Sequence, residues 1–383
     1  MSTKLRVLAV TVLATTLVTL GLQADAQPIK IGMTGTFTGP NASNGIPYRN
    51  TAEIFPETMG GVPVKWVVLD DGGDATTAMK NTRRFIDEEH VDAIVGSTST
   101  PTAMSMFDAV NAGKTVQFAM SPVAIPADKK AWVYNIPQPV PLMVSAVIDD
   151  MKKRGVKTAG YIGYSDGWGD LNWNEFNRLA TAAGIKVVAQ ERYSRTDPSV
   201  TAQVLKLMSV EPDAVYIGAS TTPAVLPHVT LRDQGYKGVI YHTHGTVAQA
   251  FLNAGGAAVE GSMLPTGPMV AAADLPDSNP IKKVSLDFIS KYQAKWGKGP
   301  VTPFAGYAWD AMLVLDAAST KAIKAAKPGT EAFRTALRDA LDSGIEVAGT
   351  NGVYKFTAAD HYGVDERARV MVVVKDGAFR LVK

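Results

Sequence analysis

Cysteine is absent from all 383 residues of the sequence. Its absence excludes disulfide bonds, cysteine-ligated zinc sites, iron–sulfur clusters and cysteine nucleophiles. It does not identify the compartment, because an oxidising location permits disulfide bonds without requiring them.

Charged residues are few and balanced. Asp, Glu, Lys and Arg make up 19% of the chain, and 38 basic residues against 36 acidic ones leave a formal net charge of +2. This balance argues against nucleic acid or an anionic membrane surface as the main partner. Apolar residues make up 46% of the chain, which is enough for a large core and excludes an intrinsically disordered protein. A chain of this length usually divides its core between two domains.

Long apolar runs are also scarce, and the one that stands out is at the N-terminus. Lys4 and Arg6 precede the apolar residues 7–22, and Ala24 and Ala26 are the small residues of a cleavage site. This pattern predicts a cleaved secretory signal peptide over residues 1–26. An uncleaved membrane anchor is the alternative, but four threonines interrupt a run already shorter than the roughly 20 apolar residues of a membrane span. We therefore expect an exported, soluble chain with no direct membrane insertion and, without cysteine, no lipid anchor.

The sequence contains an internal repeat offset by about 122 residues. In each copy an amphipathic helix leads into a short apolar strand, at 91–96 in the first copy and 212–218 in the second. Both strands end in hydroxyl-rich loops, STSTP at 97–101 and ASTTP at 219–223. A further short strand follows each loop, so the two copies match in order as well as in spacing.

Strands that alternate with helices predict parallel sheets flanked by helices. We therefore predict an α/β fold of two similar Rossmann-like lobes, whose parallel sheets are joined by a multi-strand hinge. Gly/Pro-rich segments near 135–141 and 264–268 are the predicted crossings between the lobes. Helical stretches after 280 and 300 are predicted to return to the first lobe, and strands at 352–356 and 370–374 to the second. The predicted domains are a signal peptide (1–26), a first lobe (27–138 plus 268–345) and a second lobe (139–267 plus 346–383).

The hydroxyl-rich loops are candidates for ligand binding, because parallel sheets bind ligands at the carboxyl ends of their strands. Thr100 and Thr222 each precede a proline, a pattern typical of the N-cap and first position of a helix. N–H groups at a helix start, together with the hydroxyls of residues 97–100, can hold a small carboxylate without a lysine. Capping alone is the alternative explanation of these residues. Tyr164 and Trp168 lie in a Gly-rich loop at the same sheet edge and are candidate walls for an apolar ligand.

Two further patterns point to other classes of protein. Residues 163–167 (GYSDG) match the nucleophile elbow of an α/β-hydrolase, and Asp360 and His361 follow in the order that such a triad needs. A serine hydrolase using Ser165 is therefore an alternative, although the first copy has a Thr-rich loop with no base nearby at the matching position.

His242 and His244 lack a third metal ligand in the sequence, so we interpret them as hydrogen-bonding residues. We predict no metal and no cofactor, since no phosphate-binding or dinucleotide-binding loop is present.

The order of several short motifs resembles the periplasmic solute-binding proteins of the branched-chain amino-acid ABC transporter family, which are leucine-binding-protein-like and have the type I periplasmic binding-protein fold. The motifs are TGP (38–40), MGGV (59–62), DDG (70–72), VGS (95–97), SP (121–122), GWG (167–169), RDQGY (232–236) and WDA (309–311). The resemblance covers essentially the whole chain after residue 26. It implies a binding protein rather than an enzyme, in the periplasm, that closes on a small ligand and delivers it to the membrane permease subunits of an ABC importer.

The resemblance also implies which residues bind the ligand. In that family the ligand carboxylate is held by the loop matching residues 97–100 and by residues after the Ser-Pro motif, here Val123 and Ala124. Aromatic residues matching Tyr164 and Phe304 line the pocket. Together with the residue patterns, this gives the predicted ligand-binding set Phe37, Ser97, Thr98, Ser99, Thr100, Ser121, Val123, Ala124, Tyr164, Trp168, Thr221, His242, His244 and Phe304.

One departure from the family pattern bears on the ligand. Amino-acid binders place an acidic residue in the second lobe to pair with the ligand's ammonium, whereas the matching segment here is YHTHG (241–245). An unpaired buried ammonium is strongly unfavourable. The segments THG (243–245), LPTGP (264–268) and LPDSNP (275–280) resemble the subgroup that binds benzoates and phenylpropenoids.

We therefore predict a monomeric binding protein for a small aromatic carboxylate, in which His242 and His244 can hydrogen-bond a distal hydroxyl. A branched-chain amino acid or amide bound on the same fold, and a periplasmic sensor domain for a signalling partner, are the alternatives to this prediction.

Overall fold

A computed structural model of the protein describes residues 27–39 and 42–382. The predicted signal peptide, residues 1–26, lies outside the described residues. The strands are β1 (Ile29–Gly35), β2 (Thr58–Met59), β3 (Val62–Asp70), β4 (Ala93–Val95), β5 (Val116–Ala119), β6 (Val133–Asn135), β7 (Thr158–Tyr164), β8 (Lys186–Tyr193), β9 (Ala214–Gly218), β10 (Val239–His242), β11 (Met263–Thr266), β12 (Ser343–Ala348), β13 (Val353–Thr357), β14 (Val370–Lys375) and β15 (Ala378–Leu381). The α-helices are α1 (Ala42–Ala52), α2 (Ala75–Arg83), α3 (Thr100–Ser105), α4 (Phe107–Ala112), α5 (Val140–Lys153), α6 (Gly167–Ala182), α7 (Thr201–Met208), α8 (Val225–Asp233), α9 (Gln249–Gly255), α10 (Pro280–Trp296), α11 (Pro303–Ala322) and α12 (Glu331–Asp342).

Two largely parallel sheets form the two lobes and confirm the predicted α/β fold. The first sheet has the order β2-β3-β1-β4-β5-β6, and the second has the order β15-β14-β11-β10-β9-β7-β8. The cores of the two sheets correspond strand for strand, since β3-β1-β4-β5-β6 in one matches β8-β7-β9-β10-β11 in the other. Strand β2 pairs antiparallel at one edge of the first sheet, and β14 and β15 extend the second sheet antiparallel. The internal repeat seen in the sequence is therefore a duplicated lobe.

The same aspartate in each copy joins the start of two neighbouring strands. Asp92, just before β4, accepts a hydrogen bond from the backbone N–H of Lys30 in β1 at 3.0 Å. Asp213, just before β9, accepts hydrogen bonds from the backbone N–H groups of Lys157 and Thr158 at 2.8 Å. These paired contacts fix the same strand register in both lobes. The aspartate common to both copies is therefore explained by this bond to the neighbouring strand.

Helix starts agree with the sequence in one copy and differ in the other. Asp74 caps α2 by accepting from the backbone N–H of Thr77 at 2.7 Å, as its position before the apolar stripe predicts. The sequence predicts that Asp197 opens the matching helix, but α7 begins at Thr201. Asp197 instead accepts from the backbone N–H of Ser194 at 2.7 Å and closes a turn before the helix. The Asp197 carboxylate therefore bonds to this turn and not to the start of α7.

Helices α10, α11 and α12 pack in the first lobe. Apolar side chains of α11 such as Ala308, Ala311 and Leu315 are fully buried in the same core as β1 and β5. The predicted strand at 352–356, however, lies in the first lobe rather than the second. As β13 it pairs with β12, and Tyr354 and Phe356 pack into the first-lobe core. The return to the second lobe begins at β14, which pairs with β11.

The chain crosses between the lobes three times: after β6, after β11 and between β13 and β14. Gln138 of the first crossing ties them together, because its Nε2 donates to the carbonyls of Asn351 and Ala368 at 3.0 and 2.9 Å. Gly267 of the second crossing lies against the same group, since a Cβ there would be 2.3 Å from Asn351 Oδ1. The first and third crossings are therefore bonded through Gln138 with the second packed beside them, which is the geometry of a hinge rather than of a flexible linker.

Candidate functional site

A narrow cavity lies between the two lobes, at the edge where the parallel strands of both sheets end. The first lobe contributes Asn44, Tyr48, Thr98, Ser99, Thr100, Met120, Ser121, Pro122, Phe304 and Tyr307 to its wall. The second lobe contributes Trp168, Arg195, Ser220, His244 and Gly245, and Pro137 comes from the first crossing. Seven of the predicted binding residues therefore share one cavity: Thr98, Ser99, Thr100, Ser121, Trp168, His244 and Phe304. No acidic side chain lines it within the described residues.

Hydroxyl groups of the first lobe cluster on one side of this cavity. The Thr100 hydroxyl donates to the carbonyl of Pro122 at 2.7 Å and lies 3.0 Å from Ser121 Oγ. Thr98 Oγ1 accepts from the backbone N–H of Thr36 at 2.9 Å, which leaves its own proton for another acceptor. Because the Thr100 proton goes to Pro122, Ser121 donates its proton to Thr100, and the Thr98 proton is the one left for a bound anion.

The start of α3 is one residue earlier than the sequence predicts. Ser99, not Thr100, occupies the N-cap position, and Thr100 is the first helical residue. Ser99 Oγ lies 2.7 Å from Thr102 Oγ1, a pair in which either hydroxyl can donate. In the second copy, Thr222 begins a single 3₁₀ turn preceded by Thr221. Proline is compatible with both the first and the second helical position, so the Thr-Pro pair alone leaves the start uncertain by one residue.

Aromatic rings form the apolar part of the wall. Tyr48 and Phe304 lie with ring centroids 6.1 Å apart, and Phe304 and Tyr307 meet edge to face at 6.3 Å. The Tyr48 hydroxyl donates to the carbonyl of Met120, and the Tyr307 hydroxyl donates to Gln138 Oε1 at 2.5 Å. Their polar ends are therefore satisfied by the protein, and the rings provide an apolar surface for a ligand.

Trp168 and His244 bring unsatisfied polar atoms to the second-lobe wall. Their rings meet edge on at 5.4 Å, and His244 is only 3% exposed. Trp168 Nε1 and both ring nitrogens of His244 are buried without a hydrogen-bond partner. Burial lowers the pKa of His244 to about 3, so the ring is neutral at physiological pH and carries one donor and one acceptor. Buried polar atoms are normally paired, so these nitrogens are suited to a ligand that supplies the missing partner.

Arg195 is a cavity residue that the sequence does not reveal. Its Nε donates to Asp166 Oδ2 at 2.5 Å, its Nη1 lies 3.4 Å from Ser220 Oγ, and its guanidinium stacks 4.1 Å above the Tyr164 ring. It follows β8, a strand that ends at the same sheet edge as β7 and β9. The rule that ligands bind at the carboxyl ends of parallel strands applies to this loop too, but no motif marks it. The helix α1 residues Asn44 and Tyr48 carry no sequence signal either.

Four of the predicted residues in the first lobe lie away from the cavity wall, and other contacts hold three of them. Ser97 donates to Asp71 Oδ2 at 2.5 Å, within a buried cluster where desolvation raises the pKa of Asp71. Phe37 is buried in the first-lobe core. The Val123 backbone N–H donates to Asn135 Oδ1 at 3.1 Å, so the predicted donor is already used, and the neighbouring Ala124 is exposed.

The remaining predicted residues of the second lobe are also outside the wall. Tyr164 lies beneath Arg195, and its hydroxyl donates to the carbonyl of Ser220 at 2.7 Å. His242 Nε2 is 2.8 Å from His228 Nδ1 on the far side of the strand, and burial lowers the pKa of His242 far below its usual value. Residues 242 and 244 therefore do not share a face, because the strand ends at His242 and the chain turns. The Thr221 backbone N–H donates to the carbonyl of Gly245 at 3.0 Å.

The elements of a hydrolase triad are not brought together. Ser165 Oγ lies 3.3 Å from the carbonyl of Tyr193 in the second lobe. His361 stacks on Tyr134 at 4.1 Å in the first lobe, and its Nδ1 lies 2.8 Å from the carbonyl of Val133. Both nitrogens of His361 face first-lobe partners, Val133 and Asp342, and not Ser165, so these residues do not have the geometry of a serine hydrolase.

Two further searches of the described residues gave negative results. Residues 27–39 and 42–382 include no group of three His, Asp or Glu side chains placed to hold a metal ion. Within the same residues, no helix combines the length and the apolar character needed to span a bilayer.

Comparisons with known proteins indicate one family. Residues 28–378 match the family model described as periplasmic binding protein. An extracellular ligand-binding receptor from Rhodopseudomonas palustris HaA2 is 42% identical with a TM-score of 0.92, and the match covers 93% of this chain and 100% of that one. No curated protein is a significant match.

Two more distant structures share the fold. A leucine-binding protein from Thermotoga maritima is 23% identical with a TM-score of 0.79, over 93% of this chain and 98% of that one. An ABC-transporter solute-binding protein from R. palustris, solved in complex with benzoate, is 20% identical with a TM-score of 0.78, over 93% of this chain and 96% of that one.

Proposed function

The chain belongs to the periplasmic binding protein family, and from that premise we propose that its ligand is a small aromatic carboxylate of the benzoate, hydroxybenzoate or phenylpropenoid type. Proteins of this family bind small molecules and work with the permeases of ABC transporters, and they are not enzymes. The observation that carries the proposal is the composition of the cavity. It combines aromatic walls and a hydroxyl cluster with the absence of any acidic side chain among the described lining residues.

The chemistry of the cavity supports an aromatic acid. The rings of Tyr48, Phe304 and Trp168 can enclose a flat apolar body, while Thr98 offers a hydroxyl proton to a carboxylate. An α-amino acid would bring an ammonium into a wall with no carboxylate to receive it, and such a buried charge is costly. The leucine-binding protein and the benzoate-bound protein resemble this fold to a similar degree, so fold similarity favours neither ligand. The proposal therefore rests on the side chains of this cavity.

Both lobes contribute to the wall, and this explains how binding would drive closure. Only when the lobes meet can a ligand contact Phe304 on one side and Trp168 on the other. A ligand shifts an equilibrium between open and closed forms by its difference in affinity for the two. The bonded crossings around Gln138 would act as the pivot of that movement.

The first prediction concerns ligand class. In a thermal-shift panel on protein refolded to remove bound ligand, we expect benzoate, 4-hydroxybenzoate or a hydroxycinnamate to raise the melting temperature by several degrees, and leucine and valine to leave it unchanged. A ligand at a hundred times its Kd adds about 2.7 kcal/mol of stability, which is a shift of this order for a large domain. A dicarboxylate serves as the control for non-specific anion binding. A shift with leucine alone would contradict the proposal.

The second prediction concerns the distal end of the ligand. Replacing His244 by alanine removes the neutral donor and acceptor pair of the second-lobe wall. We expect it to weaken 4-hydroxybenzoate about fivefold more than benzoate, since one net hydrogen bond is worth roughly 1 kcal/mol. Isothermal titration calorimetry with the two ligands gives the ratio of Kd values, and benzoate is the internal control for lost packing. Equal losses for the two ligands would mean that His244 only fills space.

A further inference from the structure

Arg195 carries the only charge among the described side chains that line the cavity. Its side chain is 18% exposed, so the charge is largely removed from bulk water. A charge in such a position is retained when it is paired and hydrogen-bonded. Asp166 provides one partner, but the guanidinium has five N–H donors, and Asp166 and Ser220 contact only its Nε and Nη1.

Asp166 and Tyr164 hold the guanidinium in one orientation. Asp166 caps α6 by accepting from the backbone N–H groups of Trp168 and Gly169 at 2.9 and 3.2 Å through Oδ1. Its other oxygen receives Arg195 Nε at 2.5 Å. The Tyr164 ring covers one face of the guanidinium at 4.1 Å. With one edge and one face occupied, the remaining N–H groups of Arg195 are positioned rather than free to rotate.

The start of α6 brings this cation to the side of the cavity where the hydroxyl cluster lies. Gly167, next to Asp166, faces the first lobe, and a Cβ on it would be 3.7 Å from Thr100 Cγ2. Thr100 belongs to the hydroxyl cluster with Ser121. Asp166, which anchors Arg195, is therefore next in the chain to Gly167, which faces this cluster across the cleft.

We propose that Arg195 pairs with the ligand carboxylate from the second lobe, opposite the Thr98 hydroxyl of the first. This inference rests on the proposed function and deepens it. One carboxylate then contacts both lobes at once, so the negative charge of the ligand itself stabilises the closed form. Asp166 is a positioning residue, because it orients Arg195 without touching the ligand. Specificity for an anion comes from the second lobe, at a position where the sequence resemblance implies no cation.

The test compares acids with their neutral amides. Calorimetric Kd values are measured for benzoate, 4-hydroxybenzoate and 4-hydroxycinnamate, and for the corresponding three amides, on wild type and on Arg195→Gln. We expect Arg195→Gln to weaken the acids about 10- to 100-fold, as expected for loss of a charge-assisted hydrogen bond. Binding of the amides should change less than about threefold, since they carry no charge to pair.

Three further variants separate this role from a structural one. Arg192→Gln is the matched control, because Arg192 pairs with Asp170 on the same lobe but does not line the cavity; we expect no change in any Kd. Arg195→Lys keeps the charge and should recover part of the acid affinity. Asp166→Asn should lower the ratio of acid to amide affinity without abolishing binding, which a purely structural defect would not do. Circular dichroism and the melting temperature confirm that each variant folds.

The outcomes of the two proposals are distinguishable. Aromatic acids that bind wild type and Arg195→Gln equally would overturn the role of Arg195 and leave the proposed function standing. Equal losses for acids and amides would also overturn it, since the effect would then be one of packing. If wild type binds none of the aromatic acids, the proposed function fails and this inference fails with it.

Discussion

Replacing Gly167 by leucine is expected to weaken every ligand about 5- to 150-fold, the equivalent of the roughly 1–3 kcal/mol that forced overpacking costs. Gly167 is the point where α6 of the second lobe touches α3 of the first. A Cβ at this position would lie 3.7 Å from Thr100 Cγ2 and 3.8 Å from Met104 Sδ, which is ordinary van der Waals contact. Alanine therefore fits, whereas the further atoms of leucine must displace the facing helix or keep the lobes apart.

The ligand-free protein offers a control for this wedge. Because the hinge can open without breaking either core, Gly167→Leu should unfold at the same temperature as wild type when no ligand is present. Gly167→Ala should bind normally, since its single added carbon has room. Small-angle X-ray scattering should show that ligand reduces the radius of gyration of wild type and Gly167→Ala but not of Gly167→Leu. Unchanged affinity in Gly167→Leu would show that the lobes need not meet at α6 for binding.

Replacing Asp310 by alanine is expected to lower the free energy of unfolding by at least about 2 kcal/mol, because two backbone donors lose their acceptor and each buried unpaired group costs about 1–3 kcal/mol. Asp310 is fully buried in α11. Its carboxylate accepts from the backbone N–H groups of Thr350 and Asn351 at 2.5 and 3.0 Å and from the Tyr354 hydroxyl at 3.0 Å. These bonds hold the segment that joins β12 to β13, next to the third crossing.

Urea unfolding at two pH values tests this role. Burial raises the pKa of Asp310 to about 6, against the pull of its three donors. The folded protein then binds this proton more tightly than the unfolded chain, so the contribution of Asp310 to stability rises as the pH falls from about 7 to about 4. Asp310→Asn, which cannot titrate, should therefore lose more stability relative to wild type at pH 4.5 than at pH 7.5. Asp339→Ala, an exposed substitution on α12, is the control. The prediction is wrong if Asp310→Ala, Asp310→Asn and Asp339→Ala all lose the same free energy of unfolding.

The fold was predictable because its signals repeat. Two copies of strand, loop and helix at a constant offset define the parallel sheets, and the resemblance of short motifs defines how the lobes are connected. The position of β13 was not predictable from its own residues, because a short apolar strand can pair with either sheet. Only the contacts of Tyr354 and Phe356 with the first-lobe core decide the matter.

The candidate site was predictable where it follows the strand ends of the repeat, as Ser99, Thr100, Ser121, Trp168 and His244 do. Ser97 illustrates why neighbouring residues differ. In a regular strand, side chains two residues apart face the same side. Here the chain turns into α3, so Ser97 bonds to Asp71 whereas Ser99 lines the cavity. Arg195 was missed because its place depends on an ion pair with Asp166, and such a pairing leaves no pattern in the sequence.

The interleaving of the lobes along the chain sets the order in which the protein can fold. The first lobe needs α11, since Tyr307, Ala308 and Leu315 fill the core between the sheet and α1. That helix begins at Pro303, so residues 27–138 emerge long before the partner that completes their core. The second lobe in turn waits for β14 and β15, the last strands of the chain. Contacts this distant in sequence slow folding. Neither lobe can complete its core until the segments near the C-terminus have been synthesised.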